Sequence, residues 1–349
     1  MSKTPITERI AAAEPSRHFG KASGEGADAA EFVPAALRRH SPPPLPWLDE
    51  GTLRAHFAGL AAGSGLRAAA GWNEAATAAA ERAARLPGLA HFHPAQPDAT
   101  VQGLLEVAHA AARAVSAVTG LDRVSLQPPH LAAAERAALM VARSYFAREE
   151  PGRTAVVAPE GHSALAAAAR LGLPTEAVQR LPSGDVDLDS LLSAVGAHTA
   201  AVVANWLTPA GAIDRQLASI GEVARAHGCL FCVDARGLGA SAGHARVANA
   251  GADLAWLPLA ELCPAATSAA LGARAHLTEH LPRPLVGKTP GGYELDDDLP
   301  RSIGRLALAP ANALDVLALY VQMALLGEPG LRARAERLAA ETRALAPEG

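Results

Sequence analysis

Two carboxylates stand just where two apolar, strand-like stretches end. Asp234 closes CLFCVD, and Glu261 follows ADLAWLPLA, so the pair is 27 positions apart. A carboxylate pair sharing a cleft can move protons or hold a metal, and burying both raises their pKa values and repels an anion. Neither residue is accompanied in sequence by a nucleophile, a ligand cluster or a phosphate cradle, so a self-sufficient acid–base site is disfavoured. Asp234 lies two residues before Arg236, which makes an ion pair or a helix cap its expected role. His162 opens the apolar segment ALAAAARLG. It can offer a flat ring to a ligand, but a polar residue at a helix start needs no ligand to explain it.

Other reactive residue types carry less. His91 and His93 flank one residue beside Pro94 with no third ligand near, so no metal site is expected. Cys229 and Cys232 spell CxxC, yet on a strand residues three apart face opposite sides, and no helix N-terminus is there to lower a thiol pKa. Both read as buried structural cysteines. Arg305, with Ser302, can bind a phosphate; a core-facing arginine paired with the acidic run Asp296 to Asp298 is the simpler expectation.

The elements that must position these residues follow from periodicity. Residues 1–47, rich in Ala, Gly, Pro and charge and ending in SPPPLPW, read as an extended or partly disordered arm. Residues 48–90 read as N-terminal helices. A long amphipathic helix is expected over about 101–118, stopped by Gly120, then the strand RVSLQ and the helix AAAERAALMVARSYFARE. From Thr154 the pattern repeats as strand, loop, helix: TAVVAP, ALAAAARLG, AVQRLP, DLDSLLSAVG, AAVVAN, DRQLASIGEVARAHG and CLFCVD. Continuous apolar strands alternating with helices specify an α/β fold with a mostly parallel sheet covered on both faces. Ligands in such sheets sit at the carboxyl ends of the strands, which here present residues 127–135, 159–164, 205–209, 234–237 and 258–263. The large domain is expected to span 91–325 and a terminal helix and tail 326–349.

Composition removes several function classes. A formal charge of −4 over 349 residues leaves no electrostatic footprint for nucleic acid or an anionic membrane. No apolar run is expected to reach the roughly 20 residues of a membrane span. Three cysteines cannot all pair and no signal segment is read at the N-terminus, so a cytoplasmic location is expected.

The strand, carboxylate, loop, strand layout around Asp234 resembles the cofactor floor of fold-type-I pyridoxal-phosphate (PLP) transferases, of the aspartate-aminotransferase-like kind. The stretches FHPAQPDATVQGLLEV, VTGLDRVSLQP, Asp234 through AGADLAWLPLAE, GYELDDDLPRSIGRL and GEPGLR narrow the resemblance. Together they are similar to the PLP-bearing subunit of glycine decarboxylase, the P-protein of the glycine cleavage system, over about residues 48–345.

The resemblance implies that Asp234 pairs with the cofactor's pyridinium nitrogen, that His162 stacks on its ring, and that a lysine at position 261 holds it covalently. This chain has Glu261 there. Its only lysines are Lys3, Lys21 and Lys288, and Lys288, in a segment read as a polar loop, matches a family lysine with a different role. PPHLAAAE replaces the family's Gly-rich phosphate turn, and each added Cβ obstructs the approach that glycine allows. PAATSAALGA replaces a second glycine tract, Trp206 to Pro209 replace Asn-Pro-Asn-Thr, and the family's smaller C-terminal domain is expected to be truncated.

The expectation is therefore a catalytically degenerate P-protein-like pseudoenzyme. It has no catalytic residue of its own and no expected cofactor, PLP being implied by resemblance only, with Asp234 and His162 as vestiges. It is expected to be a structural or regulatory subunit of a homo-oligomer, or of a heteromer with a PLP-bearing relative, with the 101–118 helix and the arm at the interface. The alternatives are a glycine dehydrogenase (decarboxylating) that holds PLP noncovalently, and a repurposed binder of an unknown small ligand.

Overall fold

The apolar runs become the strands of one sheet. In chain order the elements are α1 (Gln102–Thr119), β1 (Arg123–Ser125), α2 (Leu131–Glu149), β2 (Ala155–Pro159), α3 (Ser163–Arg170), β3 (Thr175–Val178), α4 (Leu188–Ala194), β4 (Thr199–Asn205), α5 (Leu217–Ala226), β5 (Leu230–Asp234), β6 (Leu254–Pro258), β7 (Ala269–Ala273), β8 (Leu285–Thr289), β9 (Gly292–Asp296) and α6 (Ala313–Leu345). This computed structural model describes residues 96–345, which belong to one compact unit. The arm at 1–47, the helices at 48–90, and His91 and His93 lie outside the described residues.

The seven-stranded sheet has the order β1-β7-β6-β5-β4-β2-β3, and β8 and β9 form a separate ribbon. From β3 across to β6 every pairing is parallel, while β7 and β1 are added antiparallel at one edge. Every residue of β5 is buried, as expected of a parallel strand covered on both faces. One face packs against α1, α4, α5 and α6 through residues such as Leu105's neighbour Ala108, Leu191, Ile220 and Leu319. The other packs against α2 and α3 through Leu139, Phe146 and Ala168. Cys229 belongs to the first cluster and Cys232 to the second, so the CxxC cysteines do point to opposite sides. All three cysteines are free and buried, and burial pushes each thiol pKa up.

Register sets the site. Asn205 pairs with Asp234 and Asp234 with Trp256, so the carboxyl ends of β4, β5 and β6 lie side by side.

Several expectations are corrected. The strand expected in AVQRLP is Thr175–Val178, two residues earlier, because Arg180 leaves the sheet to donate to Gly184 and Asn205. Lys288 lies on β8, not in a loop, with its ammonium 5.7 Å from the Tyr293 ring centre. Arg305 pairs with Asp297 at 2.6 Å as expected, but it is about half exposed rather than core-facing, since Ser302 bonds the Leu281 carbonyl instead. The 101–118 helix exists, ended by Gly120 in the left-handed conformation. Its apolar stripe packs against α6 and the β8–β9 ribbon within the chain.

The boundary expected at 325/326 falls inside α6, beside a backbone break at Gly327 (φ 56°, ψ −171°) followed by Pro329. One helical segment, Ala313–Leu338, is long and apolar enough to cross a membrane by length and composition, with a mean hydropathy of 1.2, contrary to the expectation that none would be. The core helix of a folded domain passes the same test, and here the segment packs against α1.

Candidate functional site

At the carboxyl end of β5, Asp234 is fully buried and takes its charge partner from two residues along. Arg236 donates from Nε to both carboxylate oxygens at 3.0 Å and from Nη2 to Oδ2 at 2.7 Å, and its backbone N–H reaches Oδ1 at 3.2 Å. The ion pair expected from sequence is therefore a bidentate fork, the strong geometry for this pair. Asp234 in turn raises the Arg236 pKa. The guanidinium is half exposed, so a charge whose base is buried is presented outward from the strand ends.

His162 caps α3. Its Nδ1 accepts from the Ala164 N–H at 2.9 Å, which leaves the neutral ring's proton on Nε2. Nε2 lies 3.8 Å from Asp234 Oδ2, too far for a hydrogen bond, and has no other partner. Burial lowers the His162 pKa to about 4, against a smaller opposing pull from Asp234.

Glu261 sits in the one-turn 3-10 segment Leu259–Glu261 that follows β6. Its Oε1 accepts from the Gly237 N–H at 2.6 Å and its Oε2 from the Gly239 N–H at 3.0 Å. Arg334 of α6 donates to its backbone carbonyl at 3.0 Å. Burial raises the Glu261 pKa; the two N–H bonds oppose the rise and Asp234 adds to it. The two carboxylates do influence each other, but burial rather than mutual repulsion is the main cause of the rise. Glycine is required in this turn: a Cβ at Gly239 would meet the Glu261 backbone, and Gly237 (φ 88°) would drive one into Leu207.

Sequence reasoning placed Glu135 and Thr208 within strand-end segments without giving either a role, and it missed Arg180. Glu135 on α2 accepts from the Ser163 hydroxyl at 2.6 Å, and burial raises its pKa. Arg180 donates to Asn205 Oδ1 at 2.5 Å and to the Gly184 carbonyl at 2.8 Å. Thr208 Oγ1 is buried without a partner. The position of Arg180 two residues past the end of β3 is the signal that could have marked it.

These residues do not fit a covalently held PLP. The carboxylate that would meet a pyridinium is already saturated by a guanidinium, and the lysine position carries a carboxylate clamped to two backbone N–H groups. At the start of α2, His130 Nδ1 accepts from the Ala133 N–H, using a donor that a phosphate would need. The lone lysine among the described residues, Lys288, stands on the separate β8–β9 ribbon. No group of three or more metal-ligating side chains occurs among the described residues.

The aminotransferase class-V family matches residues 132–287. The probable glycine dehydrogenase (decarboxylating) subunit 2 of Thermus thermophilus is 30% identical over 325 residues, covering 87% of this chain and 67% of that protein. This chain belongs to the glycine dehydrogenase (decarboxylating) subunit 2 family. The protein of the same name from Coxiella burnetii is 30% identical over 332 residues, covering 88% of this chain and 66% of its own length. The chain thus spans about two thirds of the length of these relatives. Among solved structures, an inhibitor-bound glycine decarboxylase (P-protein) of the glycine cleavage system superimposes with a TM-score of 0.65 at 22% identity, covering 87% of this chain and 72% of that one. The P-protein resemblance and the fold-type-I transferase fold are both shown by these matches.

Proposed function

We propose that this chain is a glycine-dehydrogenase-subunit-2-like component of an oligomer, acting as a structural or regulatory subunit without a covalently bound cofactor of its own. One observation carries this reading: the Glu261 carboxylate stands where the family's lysine would be and is committed to the Gly237 and Gly239 N–H groups. The relatives are named as subunit 2, which supports a heteromer in which another chain supplies working chemistry. Three buried, unpaired cysteines suit a reducing compartment.

A second reading has support of its own. The relatives are named for glycine dehydrogenase (decarboxylating) activity, and these matches favour an active subunit over a degenerate one. Asp234 and His162 are also kept side by side. On this reading PLP is held noncovalently by a chain that does the family's chemistry slowly.

Titration of the purified chain with PLP, followed by absorbance spectroscopy, borohydride reduction and mass analysis, tests the first reading. An unchanged free-PLP spectrum and no phosphopyridoxyl adduct are expected. An adduct on an internal lysine would overturn it. Exchange of labelled carbon dioxide into glycine with PLP saturating would establish the second reading, and no exchange would remove it.

A further inference from the structure

Arg236 reverses the polarity of the strand-end floor, and a cavity lies in front of it. The cavity, of about 350 Å³, is lined among the described residues by Glu160, His162, Arg180, Asn205, Thr208 and Arg236, with a few neighbours. A volume of this order holds a small ligand.

The polar groups around it are mostly donors. Arg236 spends Nε and Nη2 on Asp234, and its Nη1 donates to no described residue. Asn205 accepts from Arg180 through Oδ1, so its amide NH2 is left to donate elsewhere. His162 carries its proton on the unpartnered Nε2, and the Thr208 hydroxyl also has no partner, although both residues are more than nine-tenths buried. Two orphaned polar atoms on residues that line one cavity cost stability unless something answers them. Glu135 and Glu261 also act on Arg236, but each is engaged elsewhere, Glu135 by the Ser163 hydroxyl and Glu261 by the Gly237 and Gly239 N–H groups, and burial raises the pKa of both. Asp234 is saturated by Arg236, Asp214 lies 3.9 Å behind Arg180 and accepts from the Val186 and Gln216 N–H groups, and Glu160 is exposed at the rim. His162, Arg180 and Arg236 line the same cavity, and Asp234 lies 3.8 Å from His162 Nε2.

We propose that this cavity binds a small oxyanion, a carboxylate or a phosphate, against the outer edge of the Arg236 guanidinium, with Thr208 and Asn205 completing its hydrogen bonds. Engaging Arg236 from outside loosens its hold on Asp234 and lets the His162 Nε2–H close the 3.8 Å gap to that carboxylate. A cationic edge facing outward suits an anion and repels a pyridinium, which is the opposite of what a bare Asp234 would select. This goes beyond the subunit role proposed above and holds whether or not the chain has a partner.

The test is thermal unfolding of the purified chain titrated separately with malonate and inorganic phosphate, against sodium chloride at matched ionic strength. A saturable rise in midpoint with either oxyanion, absent in chloride, is expected, and the one that works identifies the source of the anion. Arg236→Lys keeps the charge but loses the fork, so the dissociation constant should weaken by about tenfold. Thr208→Val removes an orphaned hydroxyl; it should leave the ligand-free midpoint unchanged or higher while weakening the oxyanion response. No saturable response to either anion, or full affinity retained in Arg236→Lys, would overturn the proposal. If Arg236→Lys does not fold, full affinity in Thr208→Val overturns it.

Discussion

Burial holds the His162 imidazole neutral down to about pH 4, and that has a consequence for stability. An unfolded histidine takes up its proton near pH 6.5, so between there and pH 4 the unfolded state binds a proton that the folded state refuses. Stability contributed by the neutral ring is therefore complete above pH 6.5 and lost as the pH falls, by up to about 3 kcal/mol. Glu135 and Glu261, raised by burial, run the other way: their folded forms keep protons longer, so their contribution declines as pH rises through their titration. His162→Asn separates these effects because it keeps an N-cap acceptor while removing the titrating group. Urea midpoints measured from pH 4 to 7 should show a shallower acid-side fall in the variant. An identical slope would mean that His162 does not titrate as its burial requires.

At the scale of elements, Glu261 ties the turn after β5 to the turn after β6. Removing its carboxylate leaves the Gly237 and Gly239 N–H groups without their acceptor in a part-buried turn, at a cost of about 2–4 kcal/mol. Glu261→Ala should lower the unfolding midpoint accordingly, and Glu261→Lys should do the same without creating a PLP adduct, since an ammonium there faces two donors and Arg236 still covers Asp234. A phosphopyridoxyl adduct on position 261 of the lysine variant would show that the floor still accepts the cofactor.

Much of this region was legible in the sequence. The apolar runs ending at Asn205, Asp234 and Pro258 marked where buried strands stop, because a strand buried on both faces carries few polar residues before its end; which strands lie together came from the structure. The Asp234–Arg236 pair and the His162 cap are local, two residues across, and proximity in sequence suffices for them. Arg180 meeting Asn205, and Glu135 meeting Ser163, join residues 25 and 28 positions apart. They depend on how far each strand runs before it turns, and the two-residue displacement of β3 shows that periodicity does not set that length. The direction of the Glu261 carboxylate was likewise illegible, because it depends on glycines in a different loop.

For the whole molecule, the proposed subunit role requires an interface, and the intrachain packing decides where one can lie. The apolar stripe of α1 is filled by α6, so association cannot use it without unfolding that contact. Among the described residues seven large apolar side chains are left outward, Leu181, Leu192, Ile213, Leu308, Leu314, Tyr320 and Leu325, and three of them lie on α6, with Leu314 61% and Leu325 55% exposed. A specific interface buries on the order of 1,200–2,000 Å² in total, and a charge introduced at its centre is strongly disfavoured there but nearly neutral on a free surface. Size-exclusion chromatography with light scattering, on the chain alone and co-expressed with a PLP-bearing relative, should give a species larger than the monomer in at least one case. Leu314→Asp combined with Leu325→Asp should shift that species toward monomer while changing the unfolding midpoint of the chain little. A monomer at micromolar concentration in both preparations would remove the subunit role, and an oligomer indifferent to the double substitution would move the interface away from α6.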